Sequence, residues 1–298
     1  MENGKLGFTS TKNQKDFSED GIKLIIKDIL AKRELSNLNE ELVAEKLKLF
    51  LAKHKPIAEK LRQSEYSKFK RSKEHEAIIK KIRAELREVY GVFIQEDYKK
   101  RFGLLEELEK KPLLENHNKI LALHKSSKER LPYYSVVYKK IFAITGTPRK
   151  IIDFACGLNP LSYSYLGCKP EYLACDLAEK DLEFIHAYFD IMKIKGATQR
   201  IDLIKDHDKL AGLSKDCDVA FLFKTLDSLE TVQRNISGQI LVQIKAKFAV
   251  VSFATKSLGG KKTIRKEKRS WFEKLTHKLN YGFESFEIPG EIFYIIIK

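Results

Sequence analysis

Three residues frame the chemistry open to this chain: Gly157 in the loop ACGLNP, Asp176 nineteen positions later in YLACDL, and Asp202 in QRIDLI. Each ends or follows a short apolar run (KIIDFA, YLACDL, TQRIDLI) that reads as a strand. A glycine just after a first strand lets the backbone take positive φ and pass close to a ligand. A pyrophosphate needs a fuller cradle of backbone donors, G-x-G-x-x-G, and this loop holds one glycine. The chain also lacks G-x-x-x-x-G-K-[ST], which argues against a P-loop NTPase. A ligand without that cradle asks for less: one glycine, a carboxylate for a ribose and an apolar slot for a base. Asp176 stands where a ribose-binding acid is expected. Asp202, with Leu203 and Ile204 beside it, could accept a hydrogen bond from an adenine amino group. A lone acid at a strand end is more often a helix cap, so the joint spacing carries the weight. It favours S-adenosylmethionine over NAD or ATP, and therefore methyl transfer.

The elements that must position these residues fall into two regions. From Phe17 onward, Ile22, Ile25, Ile26, Ile29 and Leu30, then Leu42, Val43, Leu47 and Phe50, recur at helical spacing. LSNLNEE is the turn between two helices, with Ser36 or Asn39 as N-cap. Pro56 bounds the next segment. Ile78, Ile79, Ile82, Leu86 and Val89 then form one apolar face of a long helix, the core side of a bundle. From Lys150 the pattern changes to apolar runs alternating with helical segments, the signature of a doubly wound α/β sheet. GFESFEI and EIFYIIIK are separated only by PGE, which suits a hairpin, so the seventh strand should enter antiparallel. The expected organisation is a helical domain over 1–120 and an α/β domain over 121–298.

Composition limits the partners. A net charge of +15 points to a polyanion, nucleic acid before membrane, because no basic stripe is paired with a strongly apolar face. Residues 1–150 carry 34 Lys and Arg against 22 Asp and Glu, whereas 151–298 carry 22 against 19, so the basic excess lies in the N-terminal half. Cys156, Cys168, Cys175 and Cys217 match no zinc or disulfide spacing and read as small buried hydrophobes, with no metal expected. No run reaches a membrane span, and MENGKLGFTS lacks the marks of a signal peptide, so a soluble, cytoplasmic protein is expected; a monomer is expected separately.

Three blocks add a resemblance. HKSSKERLPYY (His124–Tyr134), DFACGLNPL (Asp153–Leu161) and VVSFATKSLGG with WFE (Val250–Gly260, Trp271–Glu273) resemble the aminoglycoside-resistance 16S ribosomal RNA methyltransferases, over roughly residues 120–298. Family membership would imply a Rossmann-like class I methyltransferase fold, a seven-stranded sheet preceded by a helical RNA-binding domain. It would also imply methylation of N7 of a guanine in the decoding A-site of the small subunit. By resemblance, Arg130 contacts the methionine carboxylate, a task suited to a planar fork of donors. Ala155, Gly157, Asp176, Asp202 and Leu203 surround the cofactor, and Lys224 and Glu230 organise the pocket. The sequence departs from the family at Ser127, where Thr is usual, and at Ala254, where Pro is common. The second change removes a restraint on φ.

Guanine N7 has an in-plane lone pair and no proton, so its attack on a methyl group needs no general base. Positioning and exclusion of water should suffice. The base should have to leave the deep, narrow RNA groove, with Tyr133, Tyr134, Phe253 and Trp271 as stacking candidates. Lys256, Lys261, Lys262, Arg265 and Lys266 are expected to contact RNA phosphates, adding affinity with little sequence information. Two other functions remain open at this point: a same-fold methyltransferase acting on transfer RNA or another base, and a non-catalytic RNA-binding factor of ribosome assembly.

Overall fold

A computed structural model describes residues 19–256 and 269–298. The chain forms two compact units, one of residues up to Ala31 with Glu40–Arg83, the other of Lys32–Asn39 with Ala84–Lys298.

The first unit holds helices α1 (Glu19–Leu30), α2 (Glu40–Lys53), α3 (Lys55–Gln63) and α4 (Tyr66–Phe69), with most of α5 (Lys73–Val89). The helical spacing is realised in burial: Ile25, Ile26 and Ile29 of α1 and Leu42, Val43, Leu47 and Leu51 of α2 are buried. Pro56 lies in the first turn of α3, where a missing N–H leaves no bond unmade. A polar knot ties α1 to α4 and α5. Asp28 accepts from the Tyr66 hydroxyl (2.6 Å) and pairs with Lys70 (3.0 Å) and His75 (3.2 Å).

The second unit is built on seven strands: β1 (Lys150–Phe154), β2 (Glu171–Asp176), β3 (Gly196–Arg200), β4 (Val219–Phe223), β5 (Phe248–Ala254), β6 (Gly282–Ile288) and β7 (Glu291–Ile297). Their order is β3-β2-β1-β4-β5-β7-β6. The first five run parallel, and β7 is antiparallel to both β5 and β6. Because side chains alternate across a strand, neighbours in β1 feed opposite faces. Ile151 joins one core with Phe221, Val250 and Phe293, and Ile152 joins the other with Ala220, Val251 and Tyr294.

The helices of this unit are α6 (Arg101–Lys110), α7 (Leu114–Leu121), α8 (Lys125–Arg130), α9 (Tyr134–Thr145), α10 (Glu179–Ile191), α11 (Leu210–Ser214), α12 (Leu226–Val232), α13 (Ile236–Gln243) and α14 (Ser270–Lys278). The first core takes residues from α6, α7, α9 and α10, the second from α13 and α14. Cys156, Cys175 and Cys217 are buried among these apolar neighbours.

Three details differ from the sequence reading. The units divide within α5, after Arg83, and not at residue 120. Their helical pattern makes α6 and α7 look like a continuation of the N-terminal helices, but Leu105, Leu108, Ile120 and Leu121 pack into a core of the sheet. The helical segment after the first apolar run is a 3-10 helix over Asn159–Tyr165. β3 stops at Arg200, leaving Asp202 beyond its end.

The packing of α6 can be tested. Leu108→Ala should cost about 2–5 kcal/mol in chemical denaturation of the sheet-containing unit, whereas Leu49→Ala, at a position 54% exposed, should change little.

Candidate cofactor site

Strand order reverses between β1 and β4, so the loops leaving these two strands adjoin at the carboxyl edge, where open α/β sheets bind ligands. Both loops take the left-handed region at once: Ala155 has φ 51°, Gly157 50° and Lys224 55°. For the two non-glycine residues this costs about 1–3 kcal/mol each, so other contacts must hold them. Gly157 has a second constraint. A Cβ there would lie 2.9 Å from the His124 ring, so the backbone passes directly over an imidazole.

Asp176, at the end of β2, fixes that loop. Its carboxylate accepts from the Gly157 N–H (2.9 Å), the Leu177 N–H (2.7 Å) and the Ala178 N–H (3.1 Å). The predicted glycine and acid are therefore in direct contact. Burial raises the Asp176 pKa, and the three amides oppose that rise. Asp153 lies beneath. Its Oδ2 accepts from Asn159 Nδ2 (2.8 Å) and the Tyr172 hydroxyl (2.7 Å), while its buried Oδ1 has no partner among the described residues.

The other centre is a carboxylate the sequence did not single out. Glu291 opens β7 opposite Ala254 at the end of β5, so the antiparallel strand brings its first residue to the carboxyl edge. There it takes Arg130 Nη2 at 2.6 Å and Nε at 3.2 Å, Lys224 Nζ at 3.4 Å and the Ser252 hydroxyl. Burial pushes its pKa up, but the Arg130 and Lys224 charges outweigh that and hold it below the usual carboxylate range. Arg130 also bonds Asn159 Oδ1 (3.1 Å), Ser126 (3.3 Å) and Tyr134 (3.5 Å), and its guanidinium lies 4.7 Å from the Phe223 ring centroid. All five of its N–H donors thus face protein acceptors. Lys224 is pinned further by Glu129 at 2.8 Å and through its own N–H to Ser252.

The remaining predicted residues are spread out. Asp202 caps its own turn, accepting from the Ile204 N–H at 3.0 Å beside buried Leu203. Glu230 does not meet Lys224. It accepts from the Asn235 and Ser237 N–H groups, both at 2.8 Å, and so caps α13. Lys256 is exposed just beyond β5, and Lys261, Lys262, Arg265 and Lys266 lie outside the described residues. Among the aromatics, Tyr134 and Phe253 are fully buried in the core, while Tyr133 and Trp271 stay partly exposed. Among the described residues no cluster of His, Cys, Asp or Glu could hold a metal, and no helix is long and apolar enough to cross a membrane.

This sheet order, with an antiparallel strand inserted at the penultimate place and a glycine turn at the switch point, defines a Rossmann-like class I methyltransferase. Comparison with known proteins narrows the class. A family model described as ribosomal RNA methyltransferase (FmrO) matches residues 62–295, and the chain belongs to that family. It is 29% identical over 236 residues to a 16S rRNA (guanine(1405)-N(7))-methyltransferase of Frankia casuarinae, covering 76% of this chain and 81% of that one. A Micromonospora rosea protein of the same name is 29% identical over 230 residues, covering 74% and 82%. The crystal structure of 16S rRNA methyltransferase RmtF in complex with S-adenosyl-L-homocysteine shares the fold. Its TM-score is 0.73 at 20% identity, over 94% of this chain and 98% of that one.

Two tests follow from the buried charges. Glu291→Gln leaves Arg130 and Lys224 without their shared counter-charge and should cost about 3–5 kcal/mol in denaturant unfolding. The second concerns pH. Burial, then the Arg130 and Lys224 charges, push the His124 pKa from 6.5 down to about 3. The unfolded chain therefore binds that proton first, and stability is lost as pH falls below about 6.5. Burial pushes Asp153 the other way, from 3.8 up to about 7, so its contribution grows as pH falls through 7. Relative to the parent, His124→Leu should gain up to about 1.4 kcal/mol per pH unit on acidification through this window. Asp153→Asn should lose by a similar amount, both read from unfolding midpoints between pH 7.5 and 4 (on the order of the two pKa values).

Proposed function

We propose that this chain transfers a methyl group from S-adenosylmethionine to N7 of a guanine in the decoding A-site of 16S ribosomal RNA, acting on the small ribosomal subunit. The observation that carries this is the contact between Gly157 and Asp176: a single-glycine loop clamped at the switch point, in a chain of the FmrO family.

The residues present suit the cofactor. The loop cannot accept a side chain at Gly157 without displacing His124. An unpartnered carboxylate oxygen of Asp153 lies under it, and an acid ends β2. Gly157, Ala155 and Asp176 would hold the ribose side, and Asp202 with Leu203 the adenine side. Arg130 would meet a methionine carboxylate by exchanging its weakest contact, the 3.5 Å bond to Tyr134. When bound, S-adenosylmethionine supplies an electrophilic methyl group on a sulfonium centre.

The chain's own contribution is positional. Guanine N7 needs no deprotonation, so neither Lys224 nor Glu230 has a proton to move. Lys224, held in a left-handed turn by Glu129, Glu291 and Ser252, keeps a buried positive charge at the carboxyl edge. Glu230 orders the start of α13. Tyr133 and Trp271 remain available for stacking on RNA. The basic N-terminal helices and Lys256 supply phosphate contacts, whose strength falls with salt. We place the protein in the cytoplasm as a monomer, with its RNA as partner.

The decisive experiment is methyl transfer from labelled cofactor to assembled small subunits, followed by nucleoside analysis. Label should appear in 7-methylguanosine of 16S rRNA. Label confined to transfer RNA or to another nucleoside would refute the proposal. Asp176→Ala should weaken cofactor binding in calorimetry while leaving RNA binding unchanged.

A further inference from the structure

Helices α13 and α14 lie on the same face of the sheet and leave between them a groove of about 780 Å³. Its walls are Gln239, Val242 and Gln243 on α13 and Trp271, Lys274 and Lys278 on α14. The helices meet closely at its floor, where a Cβ on Gly238 would lie 3.2 Å from Leu275 Cδ1. The wall residues of α14 recur at i, i+3 and i+7, so the indole and the two ammonium groups form one stripe.

We infer that this groove holds an unpaired nucleotide of the RNA substrate, its base against Trp271 and its phosphates against Lys274 and Lys278. The inference rests on the ribosomal RNA methyltransferase reading and adds a contact outside the cofactor site. Charge is the first support. Glu230 is the acid at the groove, and its carboxylate is occupied by the Asn235 and Ser237 amides. Lys274 and Lys278 are exposed and have no ion-pair partner among the described residues, so the groove is left positive.

The second support is chemical type. An aromatic beside two ammonium groups and two side-chain amides is the combination that binds single-stranded RNA. Base stacking is worth about 1–3 kcal/mol, and amides can meet base edges. An acidic peptide would use the lysines but gain little from the indole. Third, the groove is anchored to the catalytic edge. Arg269, just before α14, pairs with Asp227 at 2.6 Å and bonds the Ala254 carbonyl at 2.9 Å. Trp271 packs edge-on against Phe253 of β5, with centroids 5.8 Å apart. A nucleotide held here would be fixed relative to the loops after β4 and β5.

Trp271 is the single tryptophan of the chain, so its fluorescence reports on this groove alone. The full-length protein is titrated with a short single-stranded oligoadenylate and, separately, with a polyglutamate peptide. The RNA should quench the emission saturably and the peptide should not. In Lys274→Gln/Lys278→Gln the log–log salt dependence of RNA binding should flatten by about 1.4, two single-strand phosphates at roughly 0.7 each. KM for small subunits should rise about tenfold with kcat and cofactor affinity unchanged. Binding of labelled oligoadenylate without any change in Trp271 emission would overturn the inference, as would quenching by the peptide alone or an unaltered salt slope in the double variant. A parent that methylates small subunits yet shows no quenching would fail this inference only. A parent that is quenched by RNA but transfers no methyl group would support the groove and fail the functional proposal.

Discussion

A buried carboxylate shared by two buried cations organises the carboxyl edge. Glu291 accepts a two-pronged contact from Arg130 and a longer one from Lys224. Removing either sign would leave charge stranded where water cannot reach it, which is far costlier than leaving the set intact. The cluster joins α8, the loop after β4 and the start of β7, three parts of the chain distant in sequence. Its geometry also accounts for the left-handed Lys224, because the backbone strain at that turn is offset by two bonds to Ser252 and two ion pairs.

Asn159 links this cluster to the glycine loop. Its carbonyl oxygen faces Arg130 and Tyr134, and its amide donates to Asp153. The loop is thus fixed from below by Asp153 and Asn159, from the side by Asp176, and against His124 where a side chain would not fit. A methyl transfer that needs no proton abstraction gains most from this kind of rigidity, because its barrier is lowered by alignment more than by acid–base chemistry.

Much of this was legible in the chain. The alternation after Lys150 and the hairpin across PGE led to the sheet and its antiparallel strand, and the nineteen-residue spacing singled out Gly157 and Asp176, two residues that only the fold brings into direct contact. Glu291 was missed because it looks like the turn end of an apolar strand. The signal lay in topology: in an antiparallel strand the first residue, not the last, reaches the carboxyl edge. Resemblance assigned Lys224 and Glu230 to one pocket, yet the turn into α13 sends the two to different tasks.

Local pattern determined which segments became strands and helices and which loop could approach a ligand, because periodicity and a glycine's conformational freedom are properties of short stretches. Tertiary structure alone decided that α6 and α7 belong with the sheet, that Glu291 neutralises Arg130 and Lys224, and that His124 and Asp153 are shifted in opposite directions. Those outcomes depend on burial and on charges brought together from far along the chain, and neither exists until the sheet has closed.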